Sequence, residues 1–150
     1  MKDEVLNLAS NVICDDEGYV DHVYPDNLGI PTCGIGFAVK DLTDIEKNIL
    51  GESPYTKENC LKVLALKLSS VYDQLSHAIG FFTTLSNMRQ VALLDLAYQI
   101  GVHGLLCYKH MLVDLKIGDI KQAAIDEMDS LEAKQTPNRA KHIRDLILQG

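Results

Sequence analysis

An α+β fold is what this 150-residue sequence predicts, with a small antiparallel sheet near the start of the chain and helices after it. Two observations carry that prediction. Strand-forming residues interleaved with proline and glycine are confined to residues 18–37, and everywhere else the apolar residues recur at helical spacing. A third sets the layout. The pattern over residues 57–77 makes a helix of about 30 Å at 1.5 Å per residue, enough to join two lobes and leave a cleft between them. The expected organisation is a single domain, 1–150. Its sheet lobe covers about 18–56, its helical lobe 1–17 plus about 78–150, and its linking helix about 57–77.

The elements follow in order. Val5, Leu8, Val12 and Ile13 give residues 3–16 one apolar face, and the helix stops at Glu17-Gly18, where the glycine can take a left-handed cap. Tyr19, Val20, Val23, Tyr24, Thr32, Ile35 and Phe37 favour strands, while Pro25, Asn27, Gly29, Pro31, Gly34 and Gly36 break them into turns. Pro31 cannot donate to a ladder, so it should keep part of the sheet off a central position. Thr43 with Glu46 three residues on is a capping box before Ile45–Leu50, and Gly51 closes that helix. Thr56 caps the long pattern, and Ser86 or Asn87 opens MRQVALLDLAYQI, which Gly101 should end. Shorter helices are expected at about 105–116 and 119–130. Thr136 reads as the cap of a last helix, with Pro137 at its first position, running to about Leu148.

Composition excludes several classes. The net charge is −7, and it is uneven: residues 1–60 carry four lysines against twelve acids, a balance of −8, while the remainder is +1. An acidic half disfavours nucleic acid as a partner. Asp3 and Glu4 spoil a basic signal-peptide start, and no apolar run follows. The chain is therefore expected to be made in the host cytoplasm without a leader. Cys14, Cys33, Cys60 and Cys107 form no C-x-x-C pair and read as reduced small hydrophobes. The histidines are scattered as well. His103 and His110 would share a helix side only if one helix held both, and Gly104 argues against that. No metal and no cofactor is expected.

Polar residues concentrate in EGYVDHVYPDNLGIPTCGIGF, residues 17–37. Glu17 stands at a helix C-terminus, whose negative dipole end disfavours a carboxylate and favours the neutral acid. Asp26 stands in a polar turn with backbone amides at hand, which favours the ionised form. Two carboxyls in such different surroundings can divide labour. One protonates a glycosidic oxygen, and the other holds a water or stabilises positive charge on a sugar.

The spacing E-G-x5-Y-x-D-x2-G-x2-T-x-G-x-G, set by Glu17, Asp26 and Thr32 with their glycines, resembles the catalytic signature of phage T4-type lysozymes (glycoside hydrolase family 24). MRQVALLDLAYQIG, residues 88–101, resembles the central buried helix of that family, and QTPNRAK, residues 135–141, resembles the opening of its C-terminal helix. The three stretches fall in family order with similar spacing. The resemblance implies a muramidase that cuts the β-1,4 bond between N-acetylmuramic acid and N-acetylglucosamine in bacterial peptidoglycan. Glu17 would be the proton donor, with Asp26 and Thr32 flanking the attacking water. It implies inversion at the anomeric carbon, with carboxyls roughly 6.5–9.5 Å apart. Tyr98 and Gln99 match cleft-floor positions, and Arg139 matches an arginine that pairs with the catalytic glutamate. The expected role is that of a phage endolysin, a monomer that reaches the periplasmic cell wall with the help of a separate holin-like membrane protein.

The sequence departs from the family at three points. Phe37 replaces a structural histidine. Glu132 falls where an aromatic is expected beside the cleft, and an added carboxyl there would compete for Arg139. The negative net charge weakens long-range attraction to an anionic wall, although Lys134, Arg139, Lys141, His142 and Arg144 form a local basic run. A lysozyme-like binding module with little hydrolysis stays open as an alternative, as does a lytic transglycosylase. The latter would use the glutamate alone.

Overall fold

The computed structural model describes residues 1–150. Eight helices and three strands follow in the order α1 (Lys2–Glu17), β1 (Val20–Pro25), β2 (Pro31–Gly34), β3 (Phe37–Ala38), α2 (Asp44–Leu50), α3 (Lys57–Ala78), α4 (Asn87–Leu106), α5 (Lys109–Ile117), α6 (Ile120–Met128), α7 (Leu131–Gln135) and α8 (Pro137–Gln149). This is the α+β plan that the sequence predicts. The chain forms two compact units, one of Ser10–Leu68 and one of Met1–Ala9 with Ser69–Gly150. No single helix is long and apolar enough to cross a membrane.

Within Ser10–Leu68 the strands form an antiparallel sheet in the order β1-β2-β3. Tyr24 pairs with Thr32 and Pro25 with Pro31, and Thr32 pairs on its other side with Ala38. Pro31 opens the middle strand but pairs only with Pro25 and has no partner on β3, so it stays off the doubly paired part of the ladder as expected. It is tolerated because it is the first residue of that strand, where a missing N–H costs the ladder little. Ile35, Phe37, Leu50, Val63 and Leu64 are buried in this unit. The capping box forms as expected: Glu46 N–H donates to Thr43 Oγ1 at 3.1 Å, and Thr43 N–H donates to Glu46 Oε1 at 2.9 Å. Lys67 Nζ lies 3.3 Å from the same Glu46 oxygen and 5.5 Å from the centre of the Phe37 ring. Phe37, 2% exposed, therefore takes a cation over its face while filling core volume. All four cysteines are free thiols, and burial pushes the Cys60 thiol up to about 11.

In the second unit α4 is buried on every side from Gln90 to Ala97, the pattern of a helix at the centre of a bundle. Gly101, at φ 85° and ψ 157°, breaks it, and a short helical stretch resumes to Leu106. Tyr72 and Phe82 meet edge to face with ring centres 5.1 Å apart. Lys2 donates to Asp73 at 2.9 Å and lies over the Tyr72 ring. α7 is an element that the sequence reading lacks. Ser130 caps it by accepting from Ala133 N–H at 3.0 Å. Thr136 does not cap α8 with its side chain. Its hydroxyl turns back to Glu132, while Pro137 opens the helix as expected.

One buried residue breaks the apolar pattern. Ala123, Ala124 and Glu127 share the inward face of α6, and Glu127 is fully buried with its carboxyl against that of Glu132. Burial first, then a side-chain hydrogen bond with Glu132 and the nearby charges of Glu132 and Asp95, push its pKa from 4.5 up to about 10. The fold therefore holds the neutral acid, whereas the unfolded chain ionises it above pH 4.5. Between those values the unfolded state binds fewer protons than the folded state, so stability is lost as pH rises above 4.5. Glu127→Leu is expected to raise unfolding stability at pH 7–8 by about 1–3 kcal/mol, because the fold no longer has to keep protonated an acid that the unfolded chain ionises. The gain should shrink toward pH 4, as urea unfolding followed over that pH range will read out.

Candidate active site

Glu17, Asp26 and Thr32 all belong to the unit Ser10–Leu68. Glu17 is the last residue of α1, where Gly18 N–H closes the helix on Cys14 O at 2.9 Å. Its carboxyl lies against the turn between β2 and β3. A Cβ built on Gly36 would fall 2.6 Å from Glu17 Oε2 and 3.0 Å from its Cδ, and Gly36 has φ +70°. Only glycine satisfies both the positive φ and the close approach. The glycine-rich spacing of the signature thus has a direct use: it lets a helix-terminal carboxyl rest on the sheet backbone.

Asp26 sits in the turn that joins β1 to β2. Its Oδ1 accepts from Leu28 N–H at 2.8 Å and from Ile30 N–H at 2.9 Å. Two amide donors orient the carboxyl group, and both bonds go to one oxygen, which leaves Oδ2 to accept from a ligand. Asp26 N–H in turn donates to Ile30 O at 3.0 Å. That same carbonyl accepts from Thr32 Oγ1 at 2.8 Å. Ile30 therefore ties the aspartate and the threonine into one rigid corner of the hairpin.

The direction of the Thr32 bond decides what the corner can do. The hydroxyl has one proton, and Ile30 O takes it, so Thr32 offers only lone pairs. Thr32 is 6% exposed. Any group bound through both Asp26 Oδ2 and Thr32 Oγ1 must donate to each.

Tyr98, Gln99 and Arg139 belong to the second unit. Gln99 Nε2 donates to Thr136 Oγ1 at 2.8 Å, and Gln99 Oε1 is buried without a partner. The Arg139 guanidinium donates to Asp95 Oδ1 from Nε at 3.1 Å and from Nη2 at 2.5 Å, with Asp95 fully buried on α4. The expected competition from Glu132 for Arg139 is not what occurs. Glu132 accepts instead from Ser130 Oγ and Thr136 Oγ1, at 3.4 and 3.3 Å. Asp95 is the residue that sequence reasoning missed. The signal was a single acid in the middle of an otherwise apolar helix, MRQVALLDLAYQI, because a charge buried there requires a cationic partner.

The family model described as Phage lysozyme matches residues 15–142. The chain is also similar to the pre-baseplate central spike protein Gp5 of Enterobacteria phage T4, 32% identical over 152 residues, a match covering 90% of this chain and 26% of that protein. The chain thus spans about a quarter of the length of the relative it matches. A match over 15–142 takes in the helix end that carries Glu17, the Asp26–Thr32 corner and the Arg139 helix alike, and the chain belongs to the phage lysozyme family.

Proposed function

We propose that this protein is a muramidase, hydrolysing the β-1,4 bond between N-acetylmuramic acid and N-acetylglucosamine in bacterial peptidoglycan. What supports this reading is the corner at Ile30, which fixes Asp26 and Thr32 on one hairpin with acceptor lone pairs to offer a water. In the proposed reaction Glu17 donates its proton to the glycosidic oxygen as the bond from the anomeric carbon to that oxygen breaks. The water attacks the opposite face of the sugar while Asp26 takes its proton, and Thr32 holds its other hydrogen. The product leaves with inverted configuration. Solvent then returns a proton to Glu17 and removes one from Asp26. Tyr98, Gln99 and Arg139 are glycan-binding residues on the same reading.

Turbidity of outer-membrane-stripped Gram-negative cells, with the mass of the released fragments, tests the proposal. Lysis with hydrated reducing ends is expected. Lysis with anhydro ends would make the protein a transglycosylase, and wall binding without lysis would leave a recognition module.

Action as a monomeric endolysin, reaching the wall through a holin-like membrane protein, is part of the proposal. Similarity to a baseplate spike protein favours a second reading, in which the lysozyme travels in the phage tail. Mass spectrometry of purified virions separates the two, since an endolysin stays in the lysate and a tail lysozyme copurifies with particles.

A further inference from the structure

We infer that Thr136 is a positioning residue for glycan binding: its hydroxyl, anchored on Glu132, sets the direction of the Gln99 side-chain amide. The inference rests on the muramidase reading, in which Gln99 binds the glycan.

The argument starts from a hydroxyl that is not where its sequence position puts it. A threonine immediately before a proline at the start of a helix is placed to cap that helix, yet Thr136 makes no side-chain cap bond to α8. Its Oγ1 approaches the Glu132 carbonyl oxygen at 3.1 Å and Glu132 Oε1 at 3.3 Å. Both are acceptors, so the one hydroxyl proton goes to residue 132 in either case. Glu132 is itself fixed: it is 4% exposed, its Oε2 accepts from Ser130 Oγ, and its backbone carbonyl accepts from Thr136 N–H at 2.8 Å.

With its proton committed, Thr136 Oγ1 has only lone pairs to offer Gln99. A glutamine amide has two faces of opposite character and turns easily between them. Here only the NH2 face suits Thr136, and Nε2 donates to it at 2.8 Å. The carbonyl face is thereby directed elsewhere, and Gln99 Oε1 lacks any partner in the protein. An unsatisfied buried acceptor is costly until a donor reaches it. The donors that peptidoglycan glycan presents are the hydroxyls and the acetamido N–H groups of its N-acetylhexosamines. The chain Glu132–Thr136–Gln99 thus fixes Oε1 as the unsatisfied end of the amide, which an N–H or O–H of the sugar satisfies once glycan binding displaces the atoms that cover it. Without the threonine hydroxyl the amide is free to turn its NH2 group toward that donor, which repels it.

The test compares wild type, Thr136→Val and Thr136→Ser. It uses soluble glycan strands prepared from purified peptidoglycan, following both turnover and equilibrium binding by NMR of the glutamine side-chain amides. Valine keeps the shape and loses the hydroxyl, whereas serine keeps the hydroxyl. The inference predicts that valine weakens binding and raises KM about five- to tenfold, the scale of one lost oriented hydrogen bond. It predicts kcat within about twofold of wild type, and recovery by serine. A shifted Gln99 amide resonance in the valine variant alone is part of the expected result. Wild-type binding and KM in the valine variant would overturn the inference while leaving the muramidase reading intact. Equal loss in valine and serine, tracking a loss of thermal stability, would also overturn it, since that is a packing effect. A wild-type protein that neither binds nor cuts the strands would remove the muramidase reading and this inference together.

Discussion

Glu17→Gln will fold as the wild type does and lose at least about a hundredfold of its turnover, the lower end of what a positioned general acid contributes. The substitution keeps the volume and removes the transferable proton. The carboxyl packs on the backbone at Gly36 and stands at a helix end, so an amide of the same size fits the same space. Asp26→Asn should be crippled too, for a different reason. The Leu28 and Ile30 amides require an oxygen at the Oδ1 position. That orientation puts the new NH2 group where Oδ2 stood, so a base is replaced by a donor. Initial rates of glycan cleavage, with circular dichroism to confirm folding, check both variants. Near wild-type turnover in either would remove that residue from the reaction.

Gly36→Ala is expected to cost more than about a hundredfold in kcat while the protein stays folded. The added methyl would sit 2.6 Å from Glu17 Oε2. The obstructed atom is the end of a flexible side chain, so the fold yields by swinging the carboxyl aside, not by breaking the sheet. An ångström of displacement in a proton donor is enough to cost about two orders of magnitude. Strain at φ +70° adds a stability cost of about 1–2 kcal/mol. Gly29→Ala is the control, because Gly29 has φ +77° but nothing within 4 Å of the built Cβ. It should lose similar stability and keep its activity. Equal activity in the two alanine variants would mean that the approach of Gly36 to Glu17 has no role in placing the acid.

The comparison of the two glycines bears on what a sequence makes legible. Elements fixed by local chemistry are readable: the capping box at Thr43 and Glu46, the break at Gly101, and Pro137 at the start of α8 all depend on residues within one turn of each other. The hairpin corner is readable for the same reason, since Asp26, Ile30 and Thr32 lie within seven residues and close one turn. What eludes the sequence depends on partners far along the chain. Arg139 binds Asp95 across 44 positions, and Gln99 donates to Thr136 from 37 positions away. Glu127 looks like an ordinary acid on a polar helix until the packing of α6 buries it between other carboxyls. Pro31 is readable in the same local way as the caps, since a residue with no N–H to give lies where the strand is paired on one side only.

The most direct test of the account is the configuration of the newly cut glycan. Proton NMR of the anomeric signals, recorded in the first minutes after wild-type protein is added to soluble peptidoglycan strands, reads it before mutarotation mixes the forms. A water held by Asp26 and Thr32 on the face opposite Glu17 predicts that the α-anomer appears first. An initial β-anomer would contradict the account, because retention requires a covalent or substrate-assisted intermediate in place of that water.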